Sequence, residues 1–107
     1  MHVRVARFEG VDTQRIDEDY ERFKEMLRSQ EPLEGMPEDV ARTLKTDVRR
    51  VLSLADRETG VTLDLTFADD AEAARRVDEA LDSLSPPDGS GRRTSVQIYE
   101  LMVDEQL

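Results

Sequence analysis

Cysteine, tryptophan and asparagine are missing from the 107 residues, and histidine occurs once, as His2. Without cysteine there is no disulfide framework, thiolate zinc site, iron–sulfur cluster or cysteine nucleophile. A single histidine cannot build a soft metal site, and no Asp-x-Asp-x-Asp-Gly spacing marks a calcium loop, so no metal is expected. His2 reads as a partly exposed residue of a terminal strand rather than as a ligand or general base. No apolar run approaches the roughly 18–20 residues that span a bilayer, and Met1-His2-Val3-Arg4-Val5 does not open a signal peptide. A soluble, cytoplasmic protein is expected. Lysine is scarce too, two residues against 13 arginines, and 25 acidic side chains leave a net charge of -10. That balance argues against nucleic acid, and the pairs Arg49-Arg50 and Arg92-Arg93 are too small and too surrounded by acid to form a phosphate-binding patch. Glycine-rich phosphate loops and Ser-His-Asp sets are absent as well.

What is present is patterned. The length suits one domain, residues 1–107, large enough for a core without staples. Residues 2–8 alternate as a strand, which Glu9-Gly10 ends. Asp12 is placed to cap a helix over about 13–30, with Ile16, Tyr20, Phe23 and Leu27 as its apolar stripe. Pro32, Gly35 and Pro37 interrupt residues 31–46, and Pro37 can open a short helix carrying Val40, Ala41 and Leu44. Residues 47–55 and 61–68 read as two strands of a hairpin that turns through Asp56-Arg57-Glu58-Thr59-Gly60. Asp69 or Asp70 caps a further helix with Ala74, Val77, Leu81 and Leu84 on one side. The run Ser85-Pro86-Pro87-Asp88-Gly89-Ser90-Gly91 is a loop, residues 94–103 a last strand, and 104–107 a frayed tail.

Strand, helix, strand, strand, helix, strand is the βαββαβ order of an α+β, ferredoxin-like sandwich, a four-stranded antiparallel sheet with two helices on one face. The helices are expected on the apolar face of Val3, Val5, Leu52, Leu54, Leu63, Leu65, Phe67, Val96 and Ile98. The open face would then carry Arg4, Ala6, Phe8, Val51, Ser53, Thr62, Asp64, Thr66, Gln97, Tyr99, Leu101 and Val103. So mixed a surface is expected to meet a partner, most simply a second copy in a two-fold homodimer.

Three stretches carry a resemblance. They are the opening Val-Arg-Val-Ala-Arg-Phe, the hairpin Asp56-Arg57-Glu58-Thr59-Gly60 with Val-Thr-Leu-Asp-Leu-Thr-Phe-Ala-Asp-Asp-Ala-Glu-Ala-Ala, and the terminal Ser-Val-Gln-Ile-Tyr-Glu-Leu. Across them the chain resembles the dimeric α/β-barrel proteins, specifically the antibiotic-biosynthesis-monooxygenase-like group. The resemblance covers most of the chain outside 31–46 and implies a homodimer through the open sheet face. Active members include cofactor-independent oxygenases of polyketide-type aromatics and heme-degrading enzymes. The oxygenases line their cleft with a Trp, an Asn and a Tyr or Arg; this chain has neither Trp nor Asn, and reads Phe67-Ala68 where an aromatic often follows Leu-Thr. Heme would need a donor that His2 alone could supply.

The resulting expectation is a small-molecule-binding or accessory protein on a monooxygenase-like scaffold, with no cofactor and a small apolar or aromatic ligand. Two alternatives are a cofactor-independent monooxygenase or isomerase acting on an aromatic substrate, and a non-enzymatic structural or regulatory homodimer. The ligand-cleft candidates are Arg4, Phe8, Asp64, Thr66, Gln97 and Tyr99. In a functional cleft Arg4 holds an anionic or phenolate oxygen, Asp64 takes a proton and Tyr99 stacks or donates. In a purely structural setting Arg4 and Asp64 form an ion pair and Tyr99 fills the interface.

Overall fold

Period-two alternation and period-3.6 stripes become seven elements in a computed structural model that describes residues 1–29, 36–84 and 89–107. In chain order they are β1 (His2–Glu9), α1 (Ile16–Arg28), α2 (Glu38–Asp47), β2 (Arg50–Asp56), β3 (Val61–Ala68), α3 (Ala71–Asp82) and β4 (Arg92–Glu100). The strands form one sheet in the order β2-β3-β1-β4, and every neighbouring pair is antiparallel. This is an α+β fold compatible with the ferredoxin-like class, with three helices among the described residues. The expected loop at 85–88 and the break at 31–35 lie outside those residues.

Several boundaries move from expectation. Asp12 does not cap α1: its Oδ1 accepts from the Gln14 amide at 3.1 Å, closing a turn ahead of the helix. The helix begins at Ile16 with Arg15 at the N-cap position, where its side chain makes no capping hydrogen bond and instead pairs with Asp19 at 3.6 Å. Asp70 does cap α3, accepting from the Ala73 amide at 2.8 Å, while Asp69 pairs with Arg49 at 2.9 Å. Residue Asp47 closes α2, so β2 starts three residues later than its apolar pattern suggests, and β4 ends at Glu100.

The larger correction concerns the faces. Cross-strand partners share a face, and in register Arg4 stands opposite Thr66 and Ile98, and Ala6 opposite Asp64 and Val96. Arg4 reaches Asp78 on α3, and Tyr20 of α1 lies beside Asp64, Thr62 and Ser53, so the helices cover this face. The apolar set Val3, Val5, Leu52, Leu54, Leu63, Leu65 and Phe67 points the other way, with Gln97 and Tyr99. The physical reason is size. The buried side of α3 is Ala73, Ala74, Val77 and Ala80, small enough to lie closely on Ala6 and Ala68. A row of leucines would hold the helix farther off. Val96 and Ile98 do meet the helices, but they pair with Ala6 and Arg4 rather than with Val5 and Val3. A one-residue slip in register exchanges every side chain between faces.

Where β4 begins, the chain passes close to the end of β1. Gly91 has a φ of +75°, and a Cβ there would run into the Glu9 carbonyl oxygen. Gly91→Ala therefore combines a disfavoured backbone with a clash against main chain that cannot rotate away. A loss of about 3 kcal/mol is expected in urea unfolding; a variant as stable as the parent would show that the two segments do not run so close.

Candidate ligand site on the helix-covered face

A cation inside a sandwich must be paired. Arg4, in the middle of β1, is only 4% exposed and donates from Nε to Asp78 Oδ1 at 2.8 Å. Asp78 belongs to α3 but is itself half-exposed, so the pair joins the buried layer to a wetter edge. Two strands beyond, Ser53 Oγ donates to Asp64 Oδ1 at 2.9 Å. Burial pushes the Asp64 carboxyl above its ordinary value, against the opposing pull of the Ser53 hydrogen bond and the Arg4 charge. Burial also raises the Tyr20 phenol, with the Asp64 charge adding to it and hydrogen bonds from Thr62 and Ser53 opposing. Thr62 and Thr66 are buried alongside.

These groups form one polar layer under α1. Of the three helices α3 is the one that packs closely on the sheet, on β1, β3 and β4; α2 packs on α3, and among the described residues α1 makes no comparable backbone approach to any strand. Leu27, on the stripe meant for the core, remains exposed. The charged pair Arg57–Asp17, 2.6 Å apart, ties the start of α1 to the hairpin turn. Among the described residues, no ion pair ties the far half of the helix to the sheet.

Of the six candidates, Arg4, Asp64 and Thr66 come together in this layer, and Phe8 shares their face beside Thr62. Gln97 and Tyr99 do not join them. They stand on the outward face, where the Tyr99 hydroxyl bonds the Gln97 side chain. Tyr20 and Asp78 are the members that sequence reasoning missed. Tyr20 sits on an apolar stripe and reads as core, and its place beside Asp64 follows only from how α1 lies over the sheet. His2 lies on the helix-covered face opposite Ala68 and Glu100, its Nδ1 buried without a partner among the described residues.

The arrangement can bind a small molecule's oxygen through Arg4 and donate or accept a proton through Asp64. No group of three or more metal-ligating side chains occurs among the described residues, and no helix is long and apolar enough to cross a membrane. Two surface hollows lie elsewhere. One, of about 340 Å³, separates α2 from α3 beside Val40, Thr43 and Arg76. The other, of about 230 Å³, lies on the outward face beside Arg7, Leu54, Val61 and Leu63.

The raised carboxyl has a consequence for stability. A buried acid whose folded pKa exceeds its unfolded one favours folding only while protonated, so its cost appears as pH rises above the ordinary 3.8. Asp64→Asn keeps the Ser53 hydrogen bond and removes that cost. The variant should be more stable than the parent by roughly 0.5–2 kcal/mol at pH 8, with the gain shrinking as pH falls toward 4. A variant less stable at pH 8 would mean that the Arg4 charge and the Ser53 hydrogen bond favour the ionised carboxylate by more than burial penalises it.

Comparison with protein-family models and with curated proteins gives no match for the chain.

Proposed function

We propose that the chain is a cytoplasmic, homodimeric small-molecule-binding protein whose ligand enters the polar layer between α1 and the sheet. The observation that carries this is the inverted sandwich: Arg4, Asp64 and Tyr20 occupy the helix-covered face, where folding alone would favour leucine, and the leucines face outward. Buried polar groups of this kind cost stability and are retained where they meet a ligand. Arg4 takes an oxygen of a small apolar or aromatic ligand, Asp64 shares a proton with it, and Phe8 on β1 and Tyr20 on α1 supply aromatic surface beside them. The membership expected from the three stretches above, in the antibiotic-biosynthesis-monooxygenase-like group of dimeric α/β barrels, is consistent with this reading and belongs to the same proposal.

The homodimer forms through the outward sheet face. Four strands of about eight residues give a footprint of roughly 19 by 26 Å, adequate for a modest interface. The face sets Arg7 beside Glu9 and Asp56, and Arg50 beside Asp104, so like-charge repulsion there is smaller than the net charge of -10 would give. A catalytic version, an isomerase or cofactor-independent oxygenase, is favoured by Asp64 in particular, because a carboxyl with a raised pKa is suited to accept a substrate proton near neutrality.

Native mass spectrometry of the protein isolated gently from the cells that make it tests both parts. A dimer with one retained small molecule per protomer is expected, and Arg4→Gln should lose the molecule while remaining dimeric. An empty parent protein would overturn the binding reading, and a monomer the dimer.

A further inference from the structure

The two ends of the outward face differ. At the end where β1 starts, the chain after β4 crosses the sheet: the Leu101 amide donates to the Met1 carbonyl at 2.9 Å, and Asp104 lies 3.9 Å from Arg50 on β2, the opposite edge strand. The Arg50 guanidinium stacks over Phe67, 5.6 Å from the ring centre. Beneath this crossing Val3 and Phe67 are each only 6% exposed. At the other end nothing comparable lies on the sheet among the described residues. Leu54 is 51% exposed there and borders the hollow of about 230 Å³ with Arg7, Val61 and Leu63.

The crossing segment does not turn its own apolar groups inward. Met102 and Val103 are 79% and 76% exposed, and Leu107 is fully so. A segment whose whole task was to cap its own sheet would bury them. Their neighbours Asp104 and Glu105 are acidic, whereas the hollow holds Arg7, whose nearest acid, Glu9, is 4.0 Å away. Asp56 also borders the hollow, but its carboxylate is turned to the hairpin, where it accepts from the Glu58 and Thr59 amides. The segment is thus apolar and anionic, and the hollow apolar with a cation to offer, at opposite ends of one face.

We propose that two copies pack face to face with their strand directions reversed, so that residues 102–105 of each seat on the Arg7–Leu54–Leu63 hollow of the other. A two-fold axis lying between the sheets and perpendicular to the strands makes both contacts at once, which is the self-complementarity an isologous dimer requires. An axis along the strands would instead bring tail against tail and acid against acid. The proposal rests on the homodimer reading above and specifies its geometry.

The absence of cysteine makes disulfide trapping unambiguous. Val103, held next to the Arg50 contact, is separated from Leu54 of its own chain by about 13 Å along β2, too far for a bond that needs Cα atoms within about 7 Å. The double variant Leu54→Cys with Val103→Cys should convert under mild oxidation to a covalent dimer, and neither single variant should do so. Val103→Cys cross-linking alone would put the tails together and overturn the geometry; so would a double variant that sediments as a dimer yet stays unlinked. Arg7→Glu, which reverses the charge and keeps two of the three stem methylenes, provides an independent reading: dimerisation should weaken about tenfold or more at low salt, and unchanged affinity would count against the proposal. A parent protein that sediments as a monomer at micromolar concentration would instead remove the dimer itself, an outcome distinct from these.

Discussion

Leu65→Asp is expected to give a folded monomer. Leu65 lies mid-strand in β3, opposite Val5 and Leu52, on the face that no helix covers. In a free protomer an aspartate there reaches water, so the fold should tolerate it with a change within about 1 kcal/mol. In a face-to-face dimer the same carboxylate is buried near the two-fold axis, against its own symmetry mate and with no cation in register. Burying an unpaired charge in an interface costs about 2–5 kcal/mol, so the dissociation constant should rise at least a hundredfold, the equivalent of about 2.7 kcal/mol. Sedimentation velocity with far-ultraviolet circular dichroism separates the outcomes. A dimer of parental affinity would place the interface on another surface, and a chain that loses its secondary structure would mean Leu65 is part of a core that a protomer cannot expose.

That prediction depends on the feature the sequence conveyed least well. Alternation in 61–68 shows which residues of β3 share a side, and likewise in β1 and β2, because side chains alternate strictly along a strand. It does not say which side receives the helices. Hydrophobicity suggests the leucines, and that inference fails because the small buried residues of α3 lie on Ala6 and Ala68 instead. Register between strands is also invisible in a single strand's pattern: Val96 and Ile98 look like companions of Val3 and Val5 but pair with Ala6 and Arg4. Helix signals with a local chemical cause were more legible. Asp70 precedes its helix with a carboxylate that satisfies the Ala73 amide, and Pro37 opens α2 because its missing N–H is needed by no partner there. Asp12 looked equivalent to Asp70 and is not, since its carboxylate is spent on the Gln14 amide one turn early. For the site, Arg4, Asp64 and Thr66 could be grouped because they share strand parity in β1 and β3. Asp78 could not, for it reaches Arg4 only through the crossing of α3 over the sheet.

Arg4 is where the binding and stability roles of that layer can be separated. Replacing it with Met leaves a side chain that fills most of the space but carries no charge. Asp78 then loses its partner, though its own exposure lets water replace part of the lost interaction. Asp64 loses the one cation that lowers its pKa, and burial is left to push the carboxyl higher. Removing one member of a buried pair costs about 3–5 kcal/mol; rehydration of Asp78 should reduce this to about 2–3 kcal/mol for Arg4→Met in urea unfolding at fixed protomer concentration. The fall in stability with rising pH should also extend to higher pH than in the parent, because Asp64 stays protonated longer. Adding Asp78→Leu removes the orphaned charge, and the double variant should recover at least about 1 kcal/mol relative to Arg4→Met alone, since neighbouring substitutions couple. Single variants within about 0.5 kcal/mol of the parent would show the pair contributes nothing to folding. Ligand retention should not follow stability: if Arg4 holds the ligand's oxygen, the stabilised double variant remains empty, because Asp78→Leu restores the packing of the sandwich and not the charge.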